Sequence, residues 1–398
     1  MKLPTLVTLA LVAGVAATPR IQPLPEAAWT DIHRELVKSF ARDGSVTNEF
    51  RTFLNHPDLV KGALPFANYI SGESTLSPRH RELLILRTAW LCRSEYQWAH
   101  HAPAARKAAL NAGELRRIAA GPDARGWDAF ESALLRAADE LHVSAFVSDR
   151  TWNALTVRYD THQVMDAVFT VAEFTMLSGV MNSIGVQVEA GLTDRLPAGV
   201  PYRIDVVKSD ERLIGKKARI DALDPAQWTP EVRAMLDPSG SGRAVAAVYR
   251  TYAQHPKMYA PRQLLSEYIR LQATLDARTR ELLIMRIGWL CRSDYEWAAH
   301  APAGRRAGMT AADVEHIVAG PQTGADALVD HLLRFVNELY AEDSVSESTW
   351  QALETRLNAK QLLDLLITTG GYRMVSMSLN TFGVQLEPGG ERLPPATR

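Results

Sequence analysis

The sequence predicts an all-α protein built from two tandem copies of one helical domain, and three observations carry that reading. Residues 79–101, RHRELLILRTAWLCRSEYQWAHH, return at residues 278–300 as RTRELLIMRIGWLCRSDYEWAAH, identical at 16 of 23 positions. Apolar residues recur at helical spacing through both halves, and no strand-period alternation of useful length interrupts them. At 398 residues the chain also exceeds the usual reach of one hydrophobic core.

The repeat sets the domain boundaries. RIQPLPEAAWT, beginning at Arg20, aligns with RIDALDPAQWT, beginning at Arg219, and nothing before Thr18 has a counterpart. Residues 1–17 combine one Lys, an apolar run and the small residues Val15, Ala16 and Ala17, the pattern of a signal peptide. The expected layout is therefore a signal peptide at 1–17, a first repeat at 20–197, a linker at 198–218 and a second repeat at 219–394. Such a chain is secreted or periplasmic, with no stable membrane insertion once the signal is cleaved. The linker is rich in charge and β-branched residues and has room for some extended structure.

Within the unit, a first helix is expected over 25–43, a short one over 47–54 ending near His56-Pro57, and an apolar segment over 59–70. The same His-Pro recurs at His255-Pro256. Ser77-Pro78 reads as an N-cap followed by proline at the first helical position. The helix it opens, 79–92, is apolar on nearly every side, so it is central and buried. Ser94 with Gln97, and Ser293 with Glu296, have the spacing of a capping box, which sets His101 and His300 two turns inside the next helix. Further helices are expected over 112–120, 123–142, 149–159 and 163–183. The register between copies shifts by one residue in the loop after Gly121-Pro122.

Hydrophobic content of 46%, a charged fraction of 22% and a net charge of -1 give no electrostatic case for nucleic acid or an anionic membrane. Cys92 and Cys291, the two cysteines of the chain, each follow Trp-Leu and read as small buried hydrophobes. A redox role would need the two copies to face each other across a pseudo-twofold axis. No metal is indicated, because His100 and His101 are adjacent and no His-x-x-x-His or acidic cluster accompanies them. A glycine-rich phosphate loop and a serine nucleophile elbow are likewise missing.

The candidates for chemistry lie in the repeated stretch. Glu82 and His101, with Glu281 and His300, place a carboxylate on a buried helix within reach of an imidazole, which suits either general acid/base work or an inter-helix tie. Arg81 and Arg87, with Arg280 and Arg286, either grip a substrate carboxylate or neutralise a carboxylate of the protein. Tyr96 and Tyr295 either line an apolar pocket for a ring-shaped substrate or belong to the core. His100, replaced by Ala299 in the second copy, is an addition to the first site or has no role.

The run Arg-Glu-Leu-Leu-Ile-(Leu/Met)-Arg followed by Cys-Arg-Ser-(Glu/Asp)-Tyr-(Gln/Glu)-Trp-Ala-x-His resembles the carboxymuconolactone decarboxylase family, which includes the alkyl hydroperoxidase D proteins. The resemblance implies a tandem duplication of an alkyl hydroperoxidase D-like helical domain, and a homo-oligomer, here a trimer of two-repeat chains. In the hydroperoxidase branch a Cys-x-x-Cys pair precedes the histidine. Those positions fall here on Ser94 and Gln97, and on Ser293 and Glu296, so dithiol peroxide reduction is disfavoured. The resemblance then implies a cofactor-free lyase or isomerase acting on a small carboxylated or lactone-type substrate. His101 and His300 would move protons, Glu82 and Glu281 would orient them, and arginine would bind the carboxylate. A non-catalytic ligand-binding protein is the other reading.

Overall fold

In a computed structural model the chain is described over residues 18–40, 46–204, 206–322 and 326–395. The segment 1–17, expected as a signal peptide, and the end of the expected first helix, 41–43, lie outside the described residues. Among those described, each copy contributes nine α-helices and no strand occurs. In the first copy these are α1 (Asp31–Phe40), α2 (Asn48–Phe53), α3 (Pro57–Asn68), α4 (Pro78–Leu91), α5 (Glu95–Lys107), α6 (Ala112–Ala120), α7 (Ala129–Ser144), α8 (Asp149–Thr156) and α9 (Thr161–Ile184). The second copy repeats them as α10 (Pro230–Leu236), α11 (Ala247–Tyr252), α12 (Pro256–Leu271), α13 (Ala277–Leu290), α14 (Asp294–Arg306), α15 (Ala311–Ala319), α16 (Ala327–Glu342), α17 (Glu347–Glu354) and α18 (Ala359–Phe382).

Local signals explain most boundaries. Ser77 accepts from the His80 N–H with Pro78 at the first position of α4, and Asp160 forms a capping box with Gln163 at the start of α9. Gly185 and Gly383 close α9 and α18 in the left-handed conformation. The helix expected from residue 123 begins only at Ala129, because Asp128 caps the Phe130 and Glu131 N–H groups and fixes the start there. The long α9 is apolar enough to cross a membrane by length and composition, but its apolar stretch is wholly buried inside the bundle.

The two copies share one core. Helix α9 packs along α18 and α3 along α12, and one continuous cluster of buried side chains runs through both halves. The α9–α18 approach is close: a Cβ on Gly370 would stand 2.5 Å from Met176 Cγ, so this crossing needs glycine. The His-Pro pairs stitch the same seam crosswise. His56 Nε2 lies 2.9 Å from Tyr268 Oη and 3.3 Å from Asp364, while His255 Nε2 lies 3.0 Å from Tyr69 Oη and 3.3 Å from Asp166. Each acid also accepts from a threonine of its own copy, Thr75 on Asp166 and Thr274 on Asp364. Each copy therefore supplies the histidine that completes the other's buried Tyr–Asp pair.

The linker crosses from one copy to the other, as its position between them requires, without forming a strand among its described residues. Tyr202 Oη donates to the Leu91 carbonyl at the end of α4, at 2.6 Å. Arg212 donates to the Cys291 and Arg292 carbonyls just past α13, at 2.9 and 3.0 Å. Both contacts satisfy carbonyls that a helix end leaves open.

Candidate functional site

Glu82 lies where α4 enters its apolar run, with Arg81 before it and Leu83 to Leu86 after it, and only 4% of it is exposed. A carboxylate so placed requires a partner. After α4 the chain turns sharply, with Arg93 at a positive φ of 54°, and Ser94 starts α5 by accepting from the Gln97 N–H. Two turns on, His101 Nδ1 lies 2.9 Å from Glu82 Oε2. The second copy repeats the geometry, with His300 Nδ1 2.7 Å from Glu281 Oε2. A carboxylate can only accept, so Nδ1 carries the proton and Nε2 is left with its lone pair.

In the first copy His101 lines a cavity of about 420 Å³, the size of a small organic molecule, while its Nδ1 is held by Glu82. Its walls are largely apolar, with Phe50, Phe53, Val60, Leu64, Phe174 and the second copy's Ile367. Polar groups enter from Thr47 and Glu49 at the start of α2, from Asn68 and Ser71 at and after the end of α3, from Gln97, His100 and His101 on α5, and from Glu173 on α9. The His101 ring meets Phe174 edge-on at 4.8 Å between centroids. Burial pushes the Glu173 carboxyl up to about 8, against the opposing pull of Arg262, and neither of its oxygens has a hydrogen-bond partner. Burial likewise raises Glu49, opposed by His100 and His101. His100 itself lies 2.6 Å from Glu189. Burial alone would raise Glu189, but the bonds from His100 and the Asn48 N–H bring it down to about 2.

The expected capping boxes form only in part. Ser94 caps at 3.4 Å, but the Gln97 side chain turns to the cavity with its Nε2 unpaired. In the second copy the Ser293 hydroxyl makes no cap bond, and Glu296 approaches His300 Nε2 at 3.5 Å instead.

None of the residues expected to bind substrate is among the described residues lining this cavity. Arg87 is completely buried, forked onto Asp139 at 2.6 and 2.9 Å and donating to the Ile118 and Ala119 carbonyls at 3.0 and 2.9 Å. This places it on the protein's own carboxylate, and its Nη2 would stand 3.1 Å from a Cβ on Gly121, which explains the glycine at that break. Arg286 donates a single bond from Nε to Asn337 and bonds from Nη1 to the Ile317 and Val318 carbonyls; burial without a facing carboxylate lowers it to about 10. Arg81 and Arg280 lie beside Glu82 and Glu281, at 4.0 and 3.6 Å. Tyr96 accepts from the Glu49 N–H and donates to Glu189, tying down the segment that carries Glu49, and Tyr295 accepts from the Val248 N–H in the same way. These tyrosines position the wall rather than form it.

The second copy fills the equivalent space with its own side chains. Ala63 becomes Arg262, Phe53 becomes Tyr252, Val60 becomes Tyr259 and Phe174 becomes Tyr372. Arg262, Tyr252 and Tyr259 are 2%, 3% and 4% exposed. Position 173 is matched by Gly371, Glu49 by Val248 and His100 by Ala299. His300 Nδ1 is bonded to Glu281, and Nε2 faces Glu296 at 3.5 Å without a hydrogen bond between them. Burial lowers the imidazole, but those two carboxylates more than offset it and raise His300 overall. Glu296 is itself raised by burial to about 7, with His300 and Arg262 opposing.

The cysteines lie at the ends of α4 and α13, buried and free. Burial pushes both thiols up, Cys291 to about 11. Cys92 clusters with His142 and Asp343, their potential ligand atoms within 4.8 Å of one another, but Asp343 Oδ1 is held by Arg373 at 2.6 Å.

Sequence reasoning missed Gln97, Glu49, Glu173 and Glu189. Of these, Glu173 left a visible signal: α9 carries two carboxylates, and while Asp166 is matched by Asp364, Glu173 has glycine at its counterpart. Compared with known proteins, residues 57–140 and again 256–338 match the model of the carboxymuconolactone decarboxylase family, so the chain carries two tandem copies of that family's domain. No curated protein matches the chain.

Proposed function

We propose that, of these two carboxymuconolactone decarboxylase family domains, the first is a cofactor-free acid/base enzyme, a lyase or isomerase acting on a small carboxylated or lactone-type organic substrate. The observation that carries the reading is His101, held through Nδ1 by Glu82 and lining the apolar cavity. Glu82 fixes the tautomer and stabilises the imidazolium that forms. In an isomerisation, Nε2 takes a proton from a carbon beside a carbonyl, the electron pair passes into the conjugated system, and the imidazolium returns the proton to another carbon. In a decarboxylation, the electrons of the departing carbon–carbon bond enter the conjugated carbonyl, carbon dioxide leaves, and His101, having taken up a proton from water at Nε2, delivers it to the carbon, so that one solvent proton is consumed per turnover.

The buried, raised thiols and the serine and glutamine at the dithiol positions argue against the peroxidase reading. The same proposal takes the chain as exported and assembled as a trimer.

The test uses proton exchange. The intact chain is incubated in deuterated water with a panel of small lactones and unsaturated cyclic ketones, and deuterium incorporation beside the carbonyl is followed by nuclear magnetic resonance. Incorporation with the wild type should fall by about 10²–10⁴ in His101→Ala and persist in His300→Ala. Equal loss in both variants, or none in either, overturns the assignment.

A further inference from the structure

We propose that Glu173 is a second proton-transfer residue of the first site, presenting its carboxyl to the carbonyl oxygen of an uncharged cyclic ketone or lactone while His101 moves the proton on the adjacent carbon. This rests on the preceding assignment of His101 and goes beyond it in naming a second residue and the charge state of the substrate. Three observations support it.

The first is the state of the side chain. Glu173 is 1% exposed, faces the cavity, and has no partner for either oxygen. Buried polar groups in folded proteins are bonded, so an orphaned carboxyl aimed into a ligand-sized void is built to meet a ligand. Protonated, it is one donor that no protein group satisfies, and a carbonyl oxygen is its complement.

The second is what surrounds it. The charged and titratable groups around Glu173 are Glu49 from α2, His100 and His101 from α5, and Arg262 from α12. Arg262 lowers Glu173 electrostatically, yet donates to Ser266 at 2.6 Å and comes within bonding distance of neither Glu173 oxygen. Among the described residues no arginine or lysine lines the cavity. A substrate carboxylate would meet two acidic side chains and no arginine or lysine, whereas a neutral carbonyl meets a donor. The family resemblance led to the opposite expectation, an arginine on a carboxylate, and the six residues named for binding all lie off the wall.

The third is the asymmetry between copies. The second copy keeps the Glu–His pair but has glycine at the counterpart of Glu173, and fills the space with Arg262, Tyr252 and Tyr259. Glu173 accompanies Ala63 and Val60 in the first copy, and its glycine counterpart accompanies the buried Arg262 and Tyr259 in the second.

The chemistry balances without an outside reactant. The Glu173 proton is shared with or transferred to the carbonyl oxygen as His101 Nε2 removes the carbon-bound proton, giving an enol. The imidazolium then protonates a different carbon and the enol proton returns to Glu173.

A phenol has the shape and hydrogen bonding of such an enol, so phenol and benzoate serve as probes in titration calorimetry at pH 7 on the intact chain. Phenol should bind one per chain and at least tenfold more tightly than benzoate. Glu173→Leu should lose at least tenfold in phenol affinity, while the isosteric Glu173→Gln, which still donates, keeps most of it; circular dichroism establishes that both are folded. In the exchange assay Glu173→Gln should lower the rate and abolish the high-pH loss that deprotonation of the carboxyl imposes. Equal phenol affinity in Glu173→Leu, tighter benzoate than phenol, two phenols per chain, or no phenol binding each overturns the proposal. Exchange that depends on His101 but is untouched in Glu173→Gln overturns it while leaving the His101 assignment in place.

Discussion

Replacing Glu173 by glutamine should stabilise the chain at alkaline pH and leave it nearly unchanged in acid. In the unfolded chain the carboxyl titrates at its ordinary 4.5, and in the folded chain burial moves it to about 8. Between those values the native state holds a proton that the unfolded state has lost, so its contribution is whole below 4.5 and disappears as pH rises through 8. At about 1.4 kcal/mol per unit, that gap corresponds to ~5 kcal/mol of pH-dependent destabilisation above pH 8, and to roughly two thirds of it at pH 7. Glutamine has the same shape and no titration. Urea denaturation of both proteins from pH 5 to 9 should give curves that diverge steadily, with the variant the more stable at the upper end. The raised Glu49 and Glu296 are present in both proteins and largely cancel in the difference. Parallel curves would refute the reasoning, because they would mean that the carboxyl is solvated or partnered and has no unusual proton affinity.

Arg87→Leu should cost about 3–5 kcal/mol in the same assay, since it leaves Asp139 buried without its guanidinium, and adding Asp139→Leu should recover part of that loss. Asp364→Ala should destabilise by about 1–3 kcal/mol through the unpaired His56 and Tyr268, and calorimetry should show one transition because the copies share a core. Cys92 and Cys291 should resist alkylation in native protein and react in urea; rapid native labelling would contradict their burial.

Much of this was legible in the chain. The order of helices follows from 3.6-residue periodicity, proline and glycine punctuation and N-cap residues, all local. The Glu82–His101 pairing was legible because a carboxylate on a helix apolar all round has to find a partner, and His101 was the imidazole the turn delivered. Arg87 was ambiguous for a physical reason: its reach exceeds its own helix, and Asp139 lies 52 positions away on α7. The contrast of Glu173 with Gly371 was visible in the sequence, but its place in the site was not, because a helix buried on every side gives no hint of which face meets a void. The closure of the second site was written in the pairing of Ala63 with Arg262, but its meaning depends on where α3 and α12 lie.

Covalent joining of the two copies has a consequence for how such a protein can change. In a dimer of identical subunits, an arginine at position 63 would arrive twice and block both cavities in one event. With the halves encoded separately in one polypeptide, Arg262 can occupy the space on one side while Ala63 leaves it open on the other. The reciprocal His56–Asp364 and His255–Asp166 contacts keep the halves bound to a common architecture while this happens. Under the proposed function, one half is released from catalysis to specialise as the scaffold against which the other is shaped, and Ile367 of the second half already stands in the cavity wall of the first.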